Sequence, residues 1–538
     1  MLDQTMPLRQ AAGEEDEDGM FTRVISGAIA GYDPILVEVE ADLAPGLPSF
    51  AVVGLPDTSV NESKERVRAA LKNAGFDLPP RRITVNLAPA DIRKEGSGLD
   101  LPLALALMAS AGFIASDRLE KLLITGELSL DGRLRHTRGI LPLALLAREQ
   151  GLSGLIVPAA NAREARVVPG ITIHAFETLA EIAAALQGSA PLPAIAGQAD
   201  PQPALESPSE PSFSHIDLAE IKGQATARRA LEIAAAGGHG ILFSGPPGSG
   251  KTMLARTLPT ILPPLTFDEA LEVTRIYSVK GMIPPGGGLI EHRPFRDPHH
   301  TVSDVALIGG GRSPGPGEVS LAHHGVLFLD ELPEFRKAVL EGLREPLSEG
   351  RVAISRAAGT ASFPARFLLV GAMNPCPCGF TGDPLRSCKC TARQVVAYRQ
   401  KLSGPLLDRI DIQIHVPRLS PQELAQSAPS EDSATVRERV AAARRRQHAR
   451  HPRGSLVLNA HLPARRLKTD AVLDETAQHL LLQAVRRFSL SARAYDKIIR
   501  VARTIADLEG SAGITVAHVA EAVQYRSFDP AADPSGPD

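Results

Sequence analysis

The sequence predicts an α/β protein in three parts: an α/β N-terminal domain, an α/β core built on parallel strands, and a helical C-terminal lid. Between residues 21 and 187, alternating or apolar runs of strand length alternate with amphipathic runs of helical period. Between residues 215 and 418, apolar runs end at glycine-rich or acidic residues, which is typical of buried parallel strands. From 419 to 528, apolar residues recur at the i, i+3, i+4 and i+7 positions of helices.

Length and composition limit the possible classes of protein. The 538 residues suffice for about three domains. A net charge of −3 does not require a nucleic-acid or membrane partner. The four cysteines lie between residues 376 and 390, which excludes a secreted disulfide scaffold and indicates a reducing compartment. The longest uncharged apolar run, residues 101–115, is shorter than the ~20 residues that a membrane span needs. We therefore expect a soluble, cytoplasmic protein with no membrane partner.

Local patterns predict the individual elements and the boundaries between domains. Residues 21–43 alternate apolar and polar side chains and predict a strand. Met20, directly before this strand, is a candidate natural start, and residues 1–20 read as a disordered extension. Further strands are predicted at RRITVNLAP and LIVPA, and helices at NESKERVRAALKNAG and DLPLALALMASAG. Residues 188–214 are rich in Pro, Ala and Ser and predict a flexible linker, and residues 529–538 predict a frayed tail.

The strongest pattern is an apolar run that enters a glycine-rich loop and continues into a helix. The loop matches G-x-x-x-x-G-K-[ST] and consists of Gly245, Pro246, Pro247, Gly248, Ser249, Gly250, Lys251 and Thr252. Its backbone N–H groups and the positive end of the helix favour a phosphate. We predict that Lys251 contacts the β- and γ-phosphates of ATP and that Thr252 binds Mg²⁺. A glycine-rich turn that arose by chance is the alternative, which the strand–loop–helix context disfavours.

A P-loop of this kind needs an acidic partner for Mg²⁺, and the sequence supplies one about 80 residues later. The run GVLFLDEL has four apolar residues and then Asp330 and Glu331, as expected at the end of a central strand. We predict that Asp330 holds the water shell of Mg²⁺ and that Glu331 activates the attacking water. The alternative is a solvated strand end, which the spacing from the P-loop disfavours.

Several longer segments resemble one family closely. These are HRPFRDPHHTVSDVALIGGG, PGEVSLAHHGVLFLDELPEF, GAMNPCPCG and SGPLLDRID, and near the N-terminus GLPSFAVVGLPDTSVNESKERVRAAL and NLAPADIRKEGSGLDLPLALAL. On these segments the chain resembles the YifB/ComM family of magnesium-chelatase-like AAA+ proteins over residues 20–528. The resemblance implies a hexameric ATPase that drives DNA branch migration in natural transformation, with recombination proteins as possible partners. It also implies an N-terminal domain similar to that of Lon proteases.

The resemblance to AAA+ ATPases assigns roles to three further residues. Asn374, at the end of the strand in ARFLLVGAMNP, corresponds to the polar residue that senses the γ-phosphate. Arg409 resembles the arginine finger that reaches the ATP of a neighbouring subunit, which would require a ring. Arg493, at the start of a helix in the lid, resembles sensor 2. For each arginine the alternative is an ordinary surface cation.

The Lon-like segments lack the catalytic dyad of Lon proteases. Aligned with the serine-bearing segment of Lon, the nucleophile position is Gly98, and Ser97 is one place away. The lysine position is Leu141. A Ser–Lys dyad without either member cannot form an acyl-enzyme. We therefore predict that this domain has no protease activity and serves assembly or binding.

The cysteines form two C-x-C pairs, Cys376 with Cys378 and Cys388 with Cys390. Four thiolates in one short loop suit a closed tetrahedral Zn²⁺ site that braces the loop between Asn374 and Arg409. Four reduced thiols without metal are the alternative. The adjacent pairs His299–His300 and His323–His324 are not expected to bind metal, because neighbours on an extended segment point to opposite faces.

Two features are candidates for DNA contact. A predicted hairpin, which turns at residues 357–359, carries Arg351 and Arg356, and in related ring helicases such a hairpin points into the pore. Between Arg437 and Lys468 there is one acidic residue among many arginines, a pattern that suits sequence-tolerant phosphate contact. A solvated basic helix or inter-subunit pairing is the alternative. For the whole chain, a magnesium-chelatase motor subunit and a protein remodeller remain alternatives to a DNA motor.

Overall fold

The computed structural model describes residues 20–197 and 216–526, apart from 95, 312–313, 357–358, 384, 421, 424–430, 452–456 and 489. Two compact units are formed. The first contains the described residues up to 197 with the short segment 285–288, and the second contains the rest. The predicted extension at residues 1–20 and the tail at 529–538 lie outside the described residues, apart from Met20.

The first unit is built on an eight-stranded mixed sheet in the order β10-β9-β8-β5-β1-β2-β4-β3. The strands of this unit are β1 Met20–Ala30, β2 Asp33–Ala44, β3 Ser49–Val53, β4 Arg82–Ala88, β5 Leu122–Ile124, β6 Glu127–Leu128, β7 Leu134–Arg135, β8 Gly154–Pro158, β9 Thr172–Phe176 and β10 Ile195–Ala196. Its helices are α1 Thr58–Asn73, α2 Asp100–Ser110, α3 Ile140–Glu149, α4 Ala162–Arg166 and α5 Leu179–Leu186. The α/β prediction for this region is confirmed.

Two predictions for this unit need correction. Residues 21–43 form a hairpin of two antiparallel strands rather than one strand, because Gly31 takes a left-handed φ of 67° and the chain turns at Gly31 and Tyr32. The predicted linker starts later than residue 188, because Ile195–Ala196 adds an edge strand to β9.

The apolar run at 101–115 forms a core helix in which every residue of Asp100–Ser110 is buried. Among the described residues, no helix combines the length and apolarity needed to cross a membrane.

The second unit contains a five-stranded parallel sheet in the order β12-β15-β18-β11-β19. The strands of this unit are β11 Ile241–Ser244, β12 Phe295–Arg296, β13 Gly309–Gly310, β14 Gly315–Pro316, β15 Val326–Leu329, β16 Arg351–Arg356, β17 Gly359–Pro364, β18 Leu368–Met373 and β19 Ile412–His415. Residues of β11, β15 and β18 are buried throughout, as apolar runs covered on both faces must be.

Helices cover this sheet and then form the C-terminal region. They are α6 Ala225–Gly237, α7 Lys251–Ile261, α8 Phe267–Lys280, α9 Asp304–Ile308, α10 Glu318–Leu321, α11 Lys337–Gly342, α12 Arg344–Glu349, α13 Ala392–Arg399, α14 Gly404–Leu407, α15 Ser433–Ala449, α16 Ala464–Asp470, α17 Glu475–Arg487, α18 Ala492–Glu509 and α19 Val516–Gln524. From 433 onward the described elements are helical, so the predicted helical C-terminal region is confirmed. One hydrophobic core joins the sheet to these helices, for example through Ile241, Val440 and Ile498.

Candidate nucleotide-binding and hydrolysis site

The P-loop lies at the carboxyl edge of the parallel sheet. Strand β11 ends at Ser244, the loop follows, and α7 begins at Lys251. Gly248 and Gly250 have φ values of 76° and 90°, which favour glycine, and a Cβ at either would meet no atom of the described residues within 4 Å. The loop therefore faces open space in front of the helix N-terminus, where the geometry favours a phosphate.

Lys251 is buried beneath this loop. Its Nζ donates to the carbonyl oxygens of Gly245 and Pro246 at 2.8 and 2.9 Å, and to Oδ1 of Asn374 at 3.4 Å. Burial lowers the pKa of Lys251 to about 8, although the nearby Asp330 and Glu331 act to raise it. The two carboxylates thus do not offset the burial of the ammonium group, and phosphate oxygens would add negative charge beside it.

The predicted Mg²⁺ residues lie side by side. Thr252 Oγ1 donates to Oδ2 of Asp330 at 2.9 Å, which joins the start of α7 to the end of β15. A hydroxyl and a carboxylate are oxygen ligands of the kind that Mg²⁺ takes together with water and substrate phosphates, so these residues fit the ion.

Glu331 adopts a backbone conformation that is rare for its residue type. Its φ is 51°, in the left-handed region, and its N–H donates to Oδ1 of Asp330 at 2.8 Å. Such a conformation costs about 1–3 kcal/mol and is concentrated at functional sites. The Glu331 side chain is exposed, and His300 Nδ1 lies 3.5 Å from its Oε2.

Sequence reasoning missed the role of the segment that contains His300. The short strand β12 pairs with the strand that leads to Asp330, so the residues after Arg296 reach the same sheet edge. A carboxylate oxygen of Asp297 lies 3.7 Å from a guanidinium nitrogen of Arg256. Burial and the nearby charge of Asp330 raise the pKa of Asp297, while the charge of Arg256 acts to lower it. The signal available in the sequence was a short apolar–basic run followed at once by Asp-Pro-His-His, which is typical of a strand that ends at a polar edge.

Asn374 directly follows β18, the strand between β11 and β15. Its contact with Lys251 places it at the P-loop, where a residue that senses the γ-phosphate must lie.

Arg418 is a second residue that sequence reasoning missed. Its Nη2 donates to the carbonyl oxygen of Pro247 at 2.8 Å.

Arg409 and Arg493 lie at the opposite edge of the sheet. Arg409 comes just before β19, and Ile412 at the start of that strand pairs with Ile241 at the start of β11. Arg493 Nη1 lies 3.7 Å from Oδ2 of Asp408, beside Arg409. Neither arginine is therefore at the P-loop edge of its own chain. A role at ATP for either one stays a prediction, and it requires a neighbouring subunit.

The four cysteines are brought together. Their Sγ atoms all lie within 4.8 Å of one another, and Cys376, Cys378 and Cys388 are separated by 3.4 to 3.6 Å. Zinc–sulfur bonds of 2.3 Å in a tetrahedron would separate the sulfurs by about 3.8 Å. Backbone N–H groups of Thr381 and Cys390 donate to Sγ of Cys376 and Cys388 at 3.4 Å. The thiols are free, and the cluster has the donors and spacing that Zn²⁺ takes.

The expectation that His323 and His324 point apart is wrong. His324 has a φ of 55°, so the chain turns there and both rings meet Glu272 Oε2 at 2.9 Å. However, Nδ1 of His323 accepts from the backbone N–H of Arg366, which leaves the proton on Nε2 and no lone pair there for a metal. His299 and His300 also pack together, with ring centroids 4.0 Å apart.

The first of the two predicted DNA-contact features is the hairpin that carries Arg351. Strands β16 and β17 form the expected hairpin, with Val352 and Phe363 buried and Arg351 exposed. The middle of its turn, residues 357–358, lies outside the described residues. Hence the hairpin, but not its contact with DNA, is observed.

The basic segment from 437 to 468 is not a continuous free surface. Arg444 donates to the carbonyl oxygen of Ala235, and Arg450 pairs with Asp507 at 2.6 Å. Arg439 pairs with Glu232 and Glu431. These guanidinium groups hold α15 against its neighbours, a use that counting charges along the chain cannot reveal.

In the first unit, the two positions aligned with the Lon dyad have no catalytic group. A Cβ at Gly98 would meet Thr125 Oγ1 at 3.2 Å, and Leu141 is buried at the start of α3. Ser97 Oγ is hydrogen-bonded to the carboxylate of Glu127. Lys94, the lysine nearest to Ser97 in the sequence, is fully buried and donates to the carbonyl oxygen of Pro89.

Comparisons with known proteins agree with this architecture. Family profiles described as magnesium chelatase, subunit ChlI; subunit ChlI of Mg-chelatase; and magnesium chelatase, subunit ChlI C-terminal match residues 217–424, 39–161 and 430–526. The competence protein ComM of Haemophilus influenzae is 43% identical over 511 residues, 94% of this chain and 97% of that protein.

Two further relatives extend the comparison. The uncharacterized protein YifB of Escherichia coli is 41% identical over 509 residues, 93% of this chain and 96% of that protein. Lon protease 3 of Sorangium cellulosum is 27% identical over 169 residues, 30% of this chain and 20% of that protein. With its P-loop, acidic strand and nearly full-length relatives, the chain belongs to the magnesium-chelatase-like family of AAA+ ATPases that includes ComM and YifB.

Proposed function

We propose that this chain is the subunit of a hexameric, ATP-driven DNA motor of the ComM type, which promotes branch migration as DNA is integrated during transformation or recombination. The observation that carries the ATP-driven part is the convergence of Lys251, Thr252, Asp330 and Asn374 at one sheet edge. The DNA part rests on the similarity to a competence protein over nearly the whole of both chains.

At the site, each side chain has a separate task. Lys251 would exchange its contacts with the Gly245 and Pro246 carbonyls for the β- and γ-phosphates of ATP. Thr252 and Asp330 would hold Mg²⁺, which when bound neutralises phosphate charge. Glu331 would orient and deprotonate the attacking water.

The remaining assignments rest on the resemblance to AAA+ ATPases and ring helicases and on the cysteine cluster. Asn374 would sense the γ-phosphate, and Arg409 and Arg493 would complete the ATP site of a neighbouring subunit. Arg351 and Arg356 on the hairpin would contact DNA phosphates without reading bases. Zn²⁺ would occupy the four-cysteine cluster as a structural ion.

The proposed domains are a Lon-like domain without protease activity at 21–187, the ATPase core at 215–418 and the helical lid at 419–528. Because Gly98 and Leu141 stand at the dyad positions, the Lon-like domain would support assembly or binding. A chelatase motor subunit and a protein remodeller remain the competing assignments, and only the DNA motor requires ATP turnover to move a DNA branch.

Steady-state ATP turnover by the purified full chain tests the site. We expect Lys251→Ala to abolish turnover and Glu331→Gln to lower it by about 10²- to 10⁴-fold, because the water loses its base. Glu334→Gln is the matched control, since this exposed carboxylate three residues later pairs with Lys401. Turnover retained by Lys251→Ala would refute the assignment.

A further inference from the structure

The loop that carries the four cysteines lies directly against the P-loop. Gly379, between the two cysteine pairs, has a φ of 85°, and a Cβ there would come within 2.6 Å of Cδ of Pro247. Only a glycine fits both this conformation and this close approach. The loop and the phosphate-binding turn therefore touch with no room for a side chain.

A buried ion pair makes a second connection. The Asp383 side chain is completely buried, and its Oδ2 has no hydrogen-bond partner within the described part of the chain but lies 3.8 Å from Nε of Arg418. The same guanidinium donates from Nη2 to the carbonyl oxygen of Pro247 at 2.8 Å. Arg418 thus joins the cysteine loop to the P-loop, and a buried carboxylate of this kind depends on its cation.

The third connection runs along the chain. Cys376 is fully buried and comes two residues after Asn374, whose Oδ1 contacts Lys251 Nζ at 3.4 Å. Arg399 in α13, which follows the loop, donates from Nε to the carbonyl oxygen of Pro375 at 3.2 Å. The position of the sensing residue is therefore set by the backbone that leads into the first cysteine.

We propose that Zn²⁺ at Cys376, Cys378, Cys388 and Cys390 holds this loop against the P-loop, so that nucleotide binding by the chain depends on zinc. The inference rests on the zinc site of the proposed function and adds that the metal controls the ATP site. Without the metal, the four thiols, all within 4.8 Å of one another, share no covalent bond, and the loop loses the cross-link that positions Gly379 and Asp383.

The test compares zinc content with nucleotide affinity in the full chain. Zinc is measured by mass spectrometry, and affinity by titration with a fluorescent ATP analogue in excess Mg²⁺. We expect one zinc per chain, and removal by a zinc-selective chelator to weaken binding by about tenfold or more, as loss of supporting contacts around a site does. Adding zinc back should restore binding, which excludes irreversible unfolding.

Two variants test the contact through Arg418 separately from zinc binding. Arg418→Ala should keep one zinc per chain yet weaken nucleotide binding by about tenfold. Arg386→Ala is the matched control in the same loop, because Arg386 is exposed and its guanidinium carbon lies 5.3 Å from the ring centroid of Phe380. It should leave both zinc content and affinity unchanged.

The results that would contradict this inference can be told apart. A chain that takes up no zinc overturns both the metal site and this inference. Zinc that can be removed without changing nucleotide affinity overturns the coupling and leaves the metal site standing. Unchanged affinity in Arg418→Ala overturns the link through Asp383. If the zinc-loaded chain binds but does not hydrolyse ATP, the proposed motor function fails, while the affinity measurements still decide this inference.

Discussion

An equal mixture of Lys251→Ala and Arg409→Ala subunits should recover about one quarter of the ATP turnover of the unmodified protein, because two subunits would share each site in the proposed ring. Each variant alone should be inactive. Loss of an arginine finger lowers turnover by about 10³-fold or more, and loss of the P-loop lysine prevents phosphate binding.

Within one chain, Arg409 and Lys251 lie at opposite ends of β11. Arg409 lies near the N-terminal end of β11, whereas the P-loop follows its C-terminal end. The four residues of β11 span about 13 Å at ~3.3 Å per residue. Arg409 instead borders a cavity of about 650 Å³ at the far edge, together with Arg444 and Lys497. An ATP molecule that Arg409 contacts must therefore belong to another subunit.

The value of one quarter follows from random assembly. Of the four equally frequent neighbour pairs, one joins the intact P-loop of an Arg409→Ala subunit to the intact arginine of a Lys251→Ala subunit. The assay is ATP turnover against mixing ratio, with mixed rings verified by co-purification of differently tagged subunits. No recovery in verified mixed rings would refute the assignment of Arg409 to a neighbour's site.

The remaining predictions concern pH, stability and DNA contact. Between pH 7 and pH 9 the dissociation constant for ATP should rise about tenfold, because Lys251 has a pKa of about 8 and loses its positive charge over this range. The measurement is the affinity for a fluorescent ATP analogue at each pH, and an affinity that does not change with pH would contradict the prediction. Lys497→Met should destabilise the second unit by about 3 kcal/mol, because it leaves Asp411 buried without its cation 2.5 Å away. In urea unfolding, the half-exposed Lys401→Met control should cost less than about 0.5 kcal/mol. Arg351→Ala should lower the slope of log affinity for single-stranded DNA against log salt by about one; an unchanged slope in fluorescence anisotropy would exclude this contact.

Much of the candidate ATP site could be predicted because its residues are contiguous or follow buried strands. Gly245 to Thr252 form one motif, and Asp330 and Asn374 each come directly after an apolar run. The parallel order of β15, β18 and β11 then brings the ends of these runs together without further information.

Other features depend on contacts between distant segments, which a single sequence does not reveal. Arg418 reaches Pro247 across 171 positions, and His300 meets Glu331 because β12 pairs with β15. By contrast, the turn at Gly31 has a local signal, because residues 31–34 read Gly-Tyr-Asp-Pro, a composition typical of turns. His324 was expected on the opposite face because the left-handed turn at a non-glycine residue leaves no mark in the pattern.

The central claim is that ATP hydrolysis at this P-loop drives movement of a DNA branch. The most direct measurement is strand exchange on a labelled branched DNA with the full chain, ATP and Mg²⁺, next to the Glu331→Gln variant. We expect the unmodified chain to resolve the branch at a rate that depends on ATP, and Glu331→Gln to bind ATP without moving it. An unmodified chain that hydrolyses ATP but leaves the branch in place would contradict the account.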